Sequence, residues 1–494
     1  MSKSIGELLK RSNDYELIGL PSQKVESLTY DSRKAKAGAC FVAIKGENFD
    51  GHDFIEEAIW NGAETVVCRQ LPDRELMTPD IAFIVTKNPR KLLAEISHAF
   101  YDYPSEKLSV IGVTGTNGKT TCTFLMQAMI ESHNKSCGII GTTGIFIGND
   151  KIPATLTTPE SLEIASILDK MVKSNVDYVA MEVSSHSLVQ YRVHGINFKA
   201  AAFTNLTHDH LDYHVSMEEY AKAKKLLFEC LPEDSIAVVN TDDSYALYML
   251  EGIRCKNTVS IGRMTGNDFK IMREHISLMR TEFLIYSEKQ LIDVSTPLAG
   301  KFNIDNAALA AVTCRKTGIP LHAVQHGLSV CNGAPGRMER INLKNGAVAL
   351  LDYAHTPDAL EKALKSCKQI IENDSTSLNS KVICVFGCGG DRDKAKRPEM
   401  GKIAENISDF IIITSDNPRT EDPVAIIEDI QKGISDFSKV IVIPDRAEAI
   451  EHAFKSSESG DLILIAGKGH ENYQIIGTEK LHFDDKEQIE KFKS

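Results

Sequence analysis

From residue 108 onward the chain alternates short, uninterrupted apolar runs with stretches whose apolar positions recur at helical spacing. Residues 108–113, 178–183 and 200–204 read as strands, and a helix is expected from Lys119 onward. A second alternation starts near Gly336, with strands expected at 348–351, 382–386, 410–414 and 462–466. Uninterrupted apolar strands separated by helices predict parallel sheets covered on both faces. Before residue 106 the strand candidates are fewer, as at 39–44, and that block ends on the turn-forming stretch Tyr101-Asp102-Tyr103-Pro104-Ser105. The pattern predicts an α/β protein of three domains, at 1–106, 107–335 and 336–494. In open sheets of this kind ligands bind beyond the carboxyl ends of the strands, so functional residues should directly follow these runs.

Length agrees, because 494 residues exceed what one hydrophobic core organises. No apolar run approaches the roughly 20 residues needed to span a bilayer. The formal charge of −12 argues against non-specific nucleic-acid binding, while leaving room for a local basic pocket for a small anion. The first residues turn polar too soon for a secretion signal, which predicts a cytoplasmic protein. The 11 cysteines form no CxxC pair, Cys384 and Cys388 being the nearest approach, and are expected as buried free thiols rather than disulfides or a zinc site.

Candidate chemistry falls where the strands end. Gly112-Val113-Thr114-Gly115-Thr116-Asn117-Gly118-Lys119-Thr120-Thr121 follows a strand and opens a helix, the context of a phosphate loop. Its backbone amides would hold phosphate oxygens, Lys119 would neutralise the terminal phosphates and Thr120 would ligate magnesium. The usual spacing would place a glycine at position 113, where this chain has Val113. Further on comes Thr207-His208-Asp209-His210-Leu211-Asp212-Tyr213-His214. Such a cluster suits a binuclear zinc hydrolase, or, beside a nucleotide loop, one magnesium-binding histidine with structural neighbours. Glu182 ends an apolar strand, where a buried carboxylate is costly unless paired or bound to metal. In the helix expected over 217–231, Lys224 interrupts an apolar stripe of Met217, Tyr220, Leu227 and Leu231, whereas Lys222 and Lys225 point elsewhere. Lys224 either snorkels to solvent or turns towards the nucleotide, and periodicity does not decide between them.

Four polar clusters follow strands of the last block: Asp352-Tyr353-Ala354-His355, Gly387-Cys388-Gly389-Gly390-Asp391-Arg392-Asp393, Asp416-Asn417-Pro418-Arg419 and Gly467-Lys468-Gly469-His470-Glu471. Arg392 and Arg419 offer planar forks for carboxylates, while Asp416 and Glu471 suit an ammonium group, so the set fits a zwitterionic amino acid.

Taken in order, these segments resemble the Mur ligases over essentially the whole chain. The likeness also includes Asp31-Ser32-Arg33, Thr157-Thr158-Pro159-Glu160, Met181-Glu182-Val183-Ser184-Ser185-His186, Gly300-Lys301-Phe302-Asn303 and Gly336-Arg337-Met338-Glu339. Within the family, the pattern is that of members adding the third residue of the peptidoglycan stem peptide. The resemblance implies a UDP-binding α/β N-terminal domain, a central ATPase domain with a parallel sheet and a C-terminal Rossmann-like domain. It implies a monomeric, ATP- and magnesium-dependent ligase joining meso-2,6-diaminopimelate to UDP-N-acetylmuramoyl-L-alanyl-D-glutamate through an acyl phosphate. Tyr30, Ser32, Glu47, Asn48 and Phe49 would bind the uridine end, and Thr157, Thr158, Ser184, Gln190 and Arg192 the muramoyl dipeptide. Position 156 is Leu where relatives often carry Asn. Gly115, Thr116, Asn117, Gly118, Lys119, Thr120 and Thr121, with Asn303, Asn306, Arg337 and Asp352, would hold ATP. Glu182 and His210 would join Thr120 as magnesium ligands. Lys224 resembles the family's carbamylated lysine, whose CO2 adduct turns the cation into an anion that helps hold magnesium. Arg392, Asp416, Asn417, Pro418, Arg419, Gly467 and Glu471 would bind diaminopimelate. The lysine-adding relative shares fold and mechanism, and Arg419 argues against it. Folylpolyglutamate synthetases lack the first domain. Outside ligases, a zinc hydrolase and a non-catalytic nucleotide-binding regulator remain, distinguished by zinc dependence without ATP and by ATP binding without turnover.

Overall fold

The computed structural model describes residues 2–46, 49–207, 211–278, 280–373 and 379–494. The chain divides into two compact units: Met1–Lys119, His133–Ser260 and Lys316–Gly318 form one, and Thr120–Ser132, Ile261–Arg315 and Ile319–Ser494 the other. Both are α/β and rich in parallel strands.

The first unit opens with a five-stranded sheet, in the order Glu16–Ile18, Ala82–Val85, Ala63–Cys68, Ala39–Val42 and Ser27–Thr29, parallel except for the antiparallel Glu16–Ile18 edge. Its larger sheet centres on Ser109–Thr114, which pairs in parallel with Tyr178–Glu182 on one side and Phe198–Phe203 on the other. Cys137–Gly141 and Ile236–Asn240 extend it in parallel, and the hairpin Gly144–Ile147 and Asp150–Ile152 adds an antiparallel edge. Val110, Val179, Met181, Phe198 and Phe203 point into a common core with Leu227 and Phe228 of the helix Met217–Glu229. That helix starts where Ser216 accepts the Glu219 amide, and Glu218 and Glu219 place negative charge against the positive end of its dipole. Burying Leu227 and Phe228 anchors it by about 2 kcal/mol for each side chain.

In the second unit Phe269–Ile276, Thr281–Ser287 and Gln290–Thr296 form an antiparallel meander. The sequence reading contains no strands there. These segments bury alternate residues, so they lack the uninterrupted apolar runs used to find the others. A six-stranded sheet follows, in the order Arg337–Asn342, Val348–Asp352, Leu462–Ala466, Val382–Phe386, Phe410–Ile413 and Val440–Val442, with only the first strand antiparallel. The four strands expected from the sequence are its four central ones. They run the same way, so all four polar clusters leave one edge of one sheet. No helix among the described residues is long and apolar enough to cross a membrane. All 11 cysteines are free; most are buried as expected, but Cys230, just beyond the helix Met217–Glu229, is exposed.

Candidate active site

Val113 lies inside the strand Ser109–Thr114, in register with Glu182 on one side and Ala202 on the other. The turn therefore begins only at Gly115, which explains the missing glycine at 113. Gly115 has φ 152°, and a Cβ there would lie 1.8 Å from the Thr204 hydroxyl oxygen, so only glycine lets the loop pass. The Thr116 amide donates to the Asn205 carbonyl at 2.8 Å, the Asn117 amide to the Asn205 side chain at 3.0 Å, and the Thr204 hydroxyl to the Asn117 carbonyl at 2.6 Å. Lys119 Nζ folds back onto the carbonyls of Gly115 and Thr116, each at 2.8 Å. Gly118 has positive φ, and the helix Lys119–Glu131 opens directly after it with Thr120 and Thr121 buried.

Lys224 does not snorkel. Its side chain is 1% exposed, and Nζ donates to the Gly115 carbonyl at 2.8 Å and lies 4.3 Å from the centre of the Tyr220 ring. The apolar stripe thus carries the lysine to the phosphate loop, whereas Lys222 is exposed and pairs with Glu219, and Lys225 lies over Tyr248.

Glu182 is buried at the end of its strand, accepting the Thr142 amide at 2.9 Å and the Thr142 hydroxyl at 3.2 Å. The Thr142 and Thr157 hydroxyls are 3.1 Å apart, and Thr158 donates to the Glu182 carbonyl at 2.8 Å. Thr158 also meets Ser184, whose hydroxyl caps the helix Ser185–Val189. Arg192 donates to the Thr158 carbonyl at 3.0 Å and to Gln190 Oε1 at 2.6 Å. Thr157, Thr158, Glu182, Ser184, Gln190 and Arg192 are therefore one cluster, as expected, with Leu156 exposed beside it. The sequence reading gave Glu160 no role, yet it pairs with both Arg192 at 3.1 Å and Arg90 at 3.2 Å. Its only signal was its place in the Thr157-Thr158-Pro159-Glu160 motif.

At the expected uridine end, the Tyr30 hydroxyl donates to Glu163 at 2.6 Å and Ser32 to Glu57 at 2.6 Å, while Phe49 is exposed. Burial raises the pKa of both Tyr30 and Glu163 above their ordinary values. Glu47, Asn48 and His210, with His208 and Asp209, lie outside the described residues.

In the second unit, Asn303 and Asn306 sit one turn apart, buried on the helix Lys301–Lys316. Asn303 donates to the Ala299 carbonyl at 2.7 Å, and Asn306 donates to Asn303 at 3.1 Å. Asp352 accepts the amides of Met338 at 2.8 Å and Ala354 at 2.9 Å, and burial lifts its carboxyl above the ordinary range. The Arg337 guanidinium lies 5.0 Å from the Tyr353 ring centre, and burial with nearby Glu471 pushes the Tyr353 hydroxyl up to about 12.

The remaining three clusters of the last sheet interlock. Arg419 donates to the Gly390 carbonyl at 2.7 Å, and the Gly390 amide donates to the Asn417 carbonyl at 2.9 Å. Asn417 Nδ2 donates to Glu471 at 3.0 Å, and Tyr353 donates to the other Glu471 oxygen at 3.4 Å. Gly467 has φ 119°, and a Cβ there would sit 2.4 Å from an Asp416 carboxylate oxygen. Arg392 stands exposed at the rim. Beneath, sequence reasoning missed Arg397, fully buried, which grips Glu421 through both oxygens at 3.0 and 2.9 Å and Asp429 at 2.9 Å. Glu421 in turn accepts the Asp391 amide at 2.6 Å, tying together the loops that carry Arg392 and Arg419. Arg446 and Asp485 form a fully buried two-pronged pair at 2.7 Å.

The first unit thus carries a phosphate loop and a buried strand-end carboxylate, and the second a sheet edge with carboxylates and guanidinium forks. Comparison with known proteins agrees with it. Residues 24–101 match the Mur ligase family, catalytic domain; residues 113–314 the Mur ligase middle domain; and residues 336–469 the Mur ligase, glutamate ligase domain. The UDP-N-acetylmuramoyl-L-alanyl-D-glutamate–2,6-diaminopimelate ligase 1 of Clostridium acetobutylicum is 41% identical over 495 residues, covering 100% of this chain and 98% of the relative. The ligase of that name from Clostridium botulinum is 42% identical, with 98% of each chain covered. A solved structure of such a ligase superposes with a TM-score of 0.74 at 34% identity over 99% of this chain and 98% of the other. MurF from Acinetobacter baumannii shares the fold, with a TM-score of 0.62 at 20% identity over 94% of this chain and 96% of that one. The chain belongs to the Mur ligase family.

Proposed function

We propose that this chain is an ATP-dependent ligase that adds meso-2,6-diaminopimelate to UDP-N-acetylmuramoyl-L-alanyl-D-glutamate, a cytoplasmic step of peptidoglycan synthesis. In this reading it acts as a monomer with domains at 1–106, 107–335 and 336–494. The observation that carries it is the convergence of Asn417, Arg419 and Glu471 on one sheet edge, in a chain whose full-length relatives at 41% and 42% identity bear that name.

The D-glutamyl carboxylate attacks the γ-phosphate of ATP, giving an acyl phosphate and ADP. The amine then adds to the acyl carbon, and the tetrahedral intermediate expels phosphate. Lys119, already directed at the loop, exchanges its carbonyl contacts for phosphate oxygens, and the loop amides supply the other donors. Thr157, Thr158, Ser184 and Arg192 position the dipeptide, with Glu160 holding the Arg192 fork. Arg419 pairs with the distal carboxylate of diaminopimelate, a group that lysine lacks, and Glu471 takes an ammonium group. The oxygen donor of Glu182 suits a hard cation; with Thr120, His210 and the Lys224 carbamate it would hold magnesium, which would supply positive charge to the phosphoryl oxygens. In this reading Lys224, whose Nζ is buried against the Gly115 carbonyl, carries the carbamate.

The reading is tested by ATP-dependent phosphate release with the muramoyl dipeptide and either amino acid. Turnover with meso-diaminopimelate and little with lysine is expected; equal rates with lysine would sink the specificity. For Lys224, the alanine variant should lose activity and regain part of it with short-chain carboxylates, and carbon-13 bicarbonate should give a carbamate resonance in the intact protein only. Full activity of Lys224→Ala would overturn that assignment.

A further inference from the structure

Lys468 has no part in the reaction above, yet it lies at the centre of the amino-acid cluster. Its side chain is 0% exposed, and burying an ammonium costs several kcal/mol unless its donors are used. Nζ donates to Asn417 Oδ1 at 3.2 Å, stands 3.7 Å from Asp416 Oδ1 and lies 5.8 Å from the Tyr473 ring centre. Asn417 Oδ1 also accepts the Ile475 amide at 3.0 Å. An amide oxygen has two lone pairs, and both are used here by donors. A flipped amide would set its NH2 group against an N–H and an ammonium. Nδ2 is therefore held on the opposite side, where it donates to Glu471 Oε2 at 3.0 Å.

We propose that Lys468 is a positioning residue that fixes the Asn417 amide and, through it, aims the Glu471 carboxylate at the amino group of the incoming amino acid. This rests on the function proposed above. Burial draws the Lys468 ammonium below its ordinary pKa while Asp416 opposes that fall, consistent with a cation retained for its donors. An apolar side chain of similar length would fill the same space but leave the Asn417 oxygen with the Ile475 amide alone to hold its orientation.

The test uses the purified full chain with both substrates and ATP. Wild-type turnover with meso-diaminopimelate is measured first; its absence sinks the proposed function and this inference with it. Lys468→Met should raise the KM for the amino acid about 10- to 100-fold, the range expected for losing hydrogen bonds that involve charged groups, with the KM values for ATP and the muramoyl dipeptide within about twofold. If Lys468→Met does not fold, Lys468→Gln is read by the same criterion. An unchanged amino-acid KM, or a parallel rise in all three, overturns the inference while leaving the proposed function standing. Glu471→Gln in the Lys468→Met background should add little further, because both act through one carboxylate. Multiplying effects would likewise overturn it.

Discussion

Lys119 of the phosphate loop and the buried charges of the amino-acid cluster are held in opposite ways. Lys119 reaches carbonyls only four and three residues away, at Gly115 and Thr116. In the amino-acid cluster Arg446 and Asp485 are 39 residues apart, Lys468 and Asn417 51, and Tyr353 and Glu471 118. A lysine that donates to the main-chain carbonyls of its own loop can be lost without leaving a buried charge unpaired. One of a set of buried charges from distant segments cannot, because each charge depends on a partner for its place in the interior.

The largest effect that would separate the two is on stability. Arg446→Met leaves Asp485 as a buried carboxylate facing an apolar chain and should lower the unfolding free energy by about 3–5 kcal/mol. Pairing it with Asp485→Leu should recover much of that loss, which urea denaturation would record. Lys119→Ala should leave unfolding within about 0.5 kcal/mol. Its cost falls on turnover, a drop of about 10²- to 10³-fold in kcat, the range for removing one preorganised donor from a developing charge. A Lys119→Ala protein that unfolds as readily as Arg446→Met would break the comparison.

The same contrast governs what could be read from the sequence. Lys119 was legible because the phosphate loop is a local pattern, and the four clusters of the last sheet because each directly follows an apolar run. Lys224 was visible as a fault in a helical stripe, although only the fold brings it against Gly115. Val113 looked like a departure from the motif and is simply part of the strand, which continues to Thr114. The Arg446–Asp485 pair and the Arg397 grip on Glu421 carry no sequence signal, and the Glu160 bridge between Arg90 and Arg192 only its place in a motif, since each depends on which strands and helices become neighbours. The meander from Phe269 to Thr296 escaped because half-buried strands alternate instead of running apolar.

Acid should sharpen the comparison, with a smaller effect. His98, on the helix Pro89–Phe100 of the first unit, is buried against Gly195. Burial, with nearby His194, holds its pKa at about 4, below the ordinary 6.5. Between those values the unfolded chain binds a proton that the native protein refuses, so stability falls as pH drops through that window, by at most about 3 kcal/mol, and is independent of His98 above it. In the second unit the Arg397 guanidinium holds Glu421 down at about 2 from 4.5, so the stability its pairing supplies is present above the ordinary carboxyl range and is lost only as pH falls towards 2. Hydrogen exchange at about pH 7 and about pH 4.5, corrected for intrinsic rates, should therefore show the helix Pro89–Phe100 losing protection while the helix Lys396–Ile407, which carries Arg397, keeps it. His98→Leu should flatten the acid response of the first helix alone. Equal losses in both helices, or no change in the leucine variant, would mean that the neutral histidine is not what sets the acid limit of the first unit.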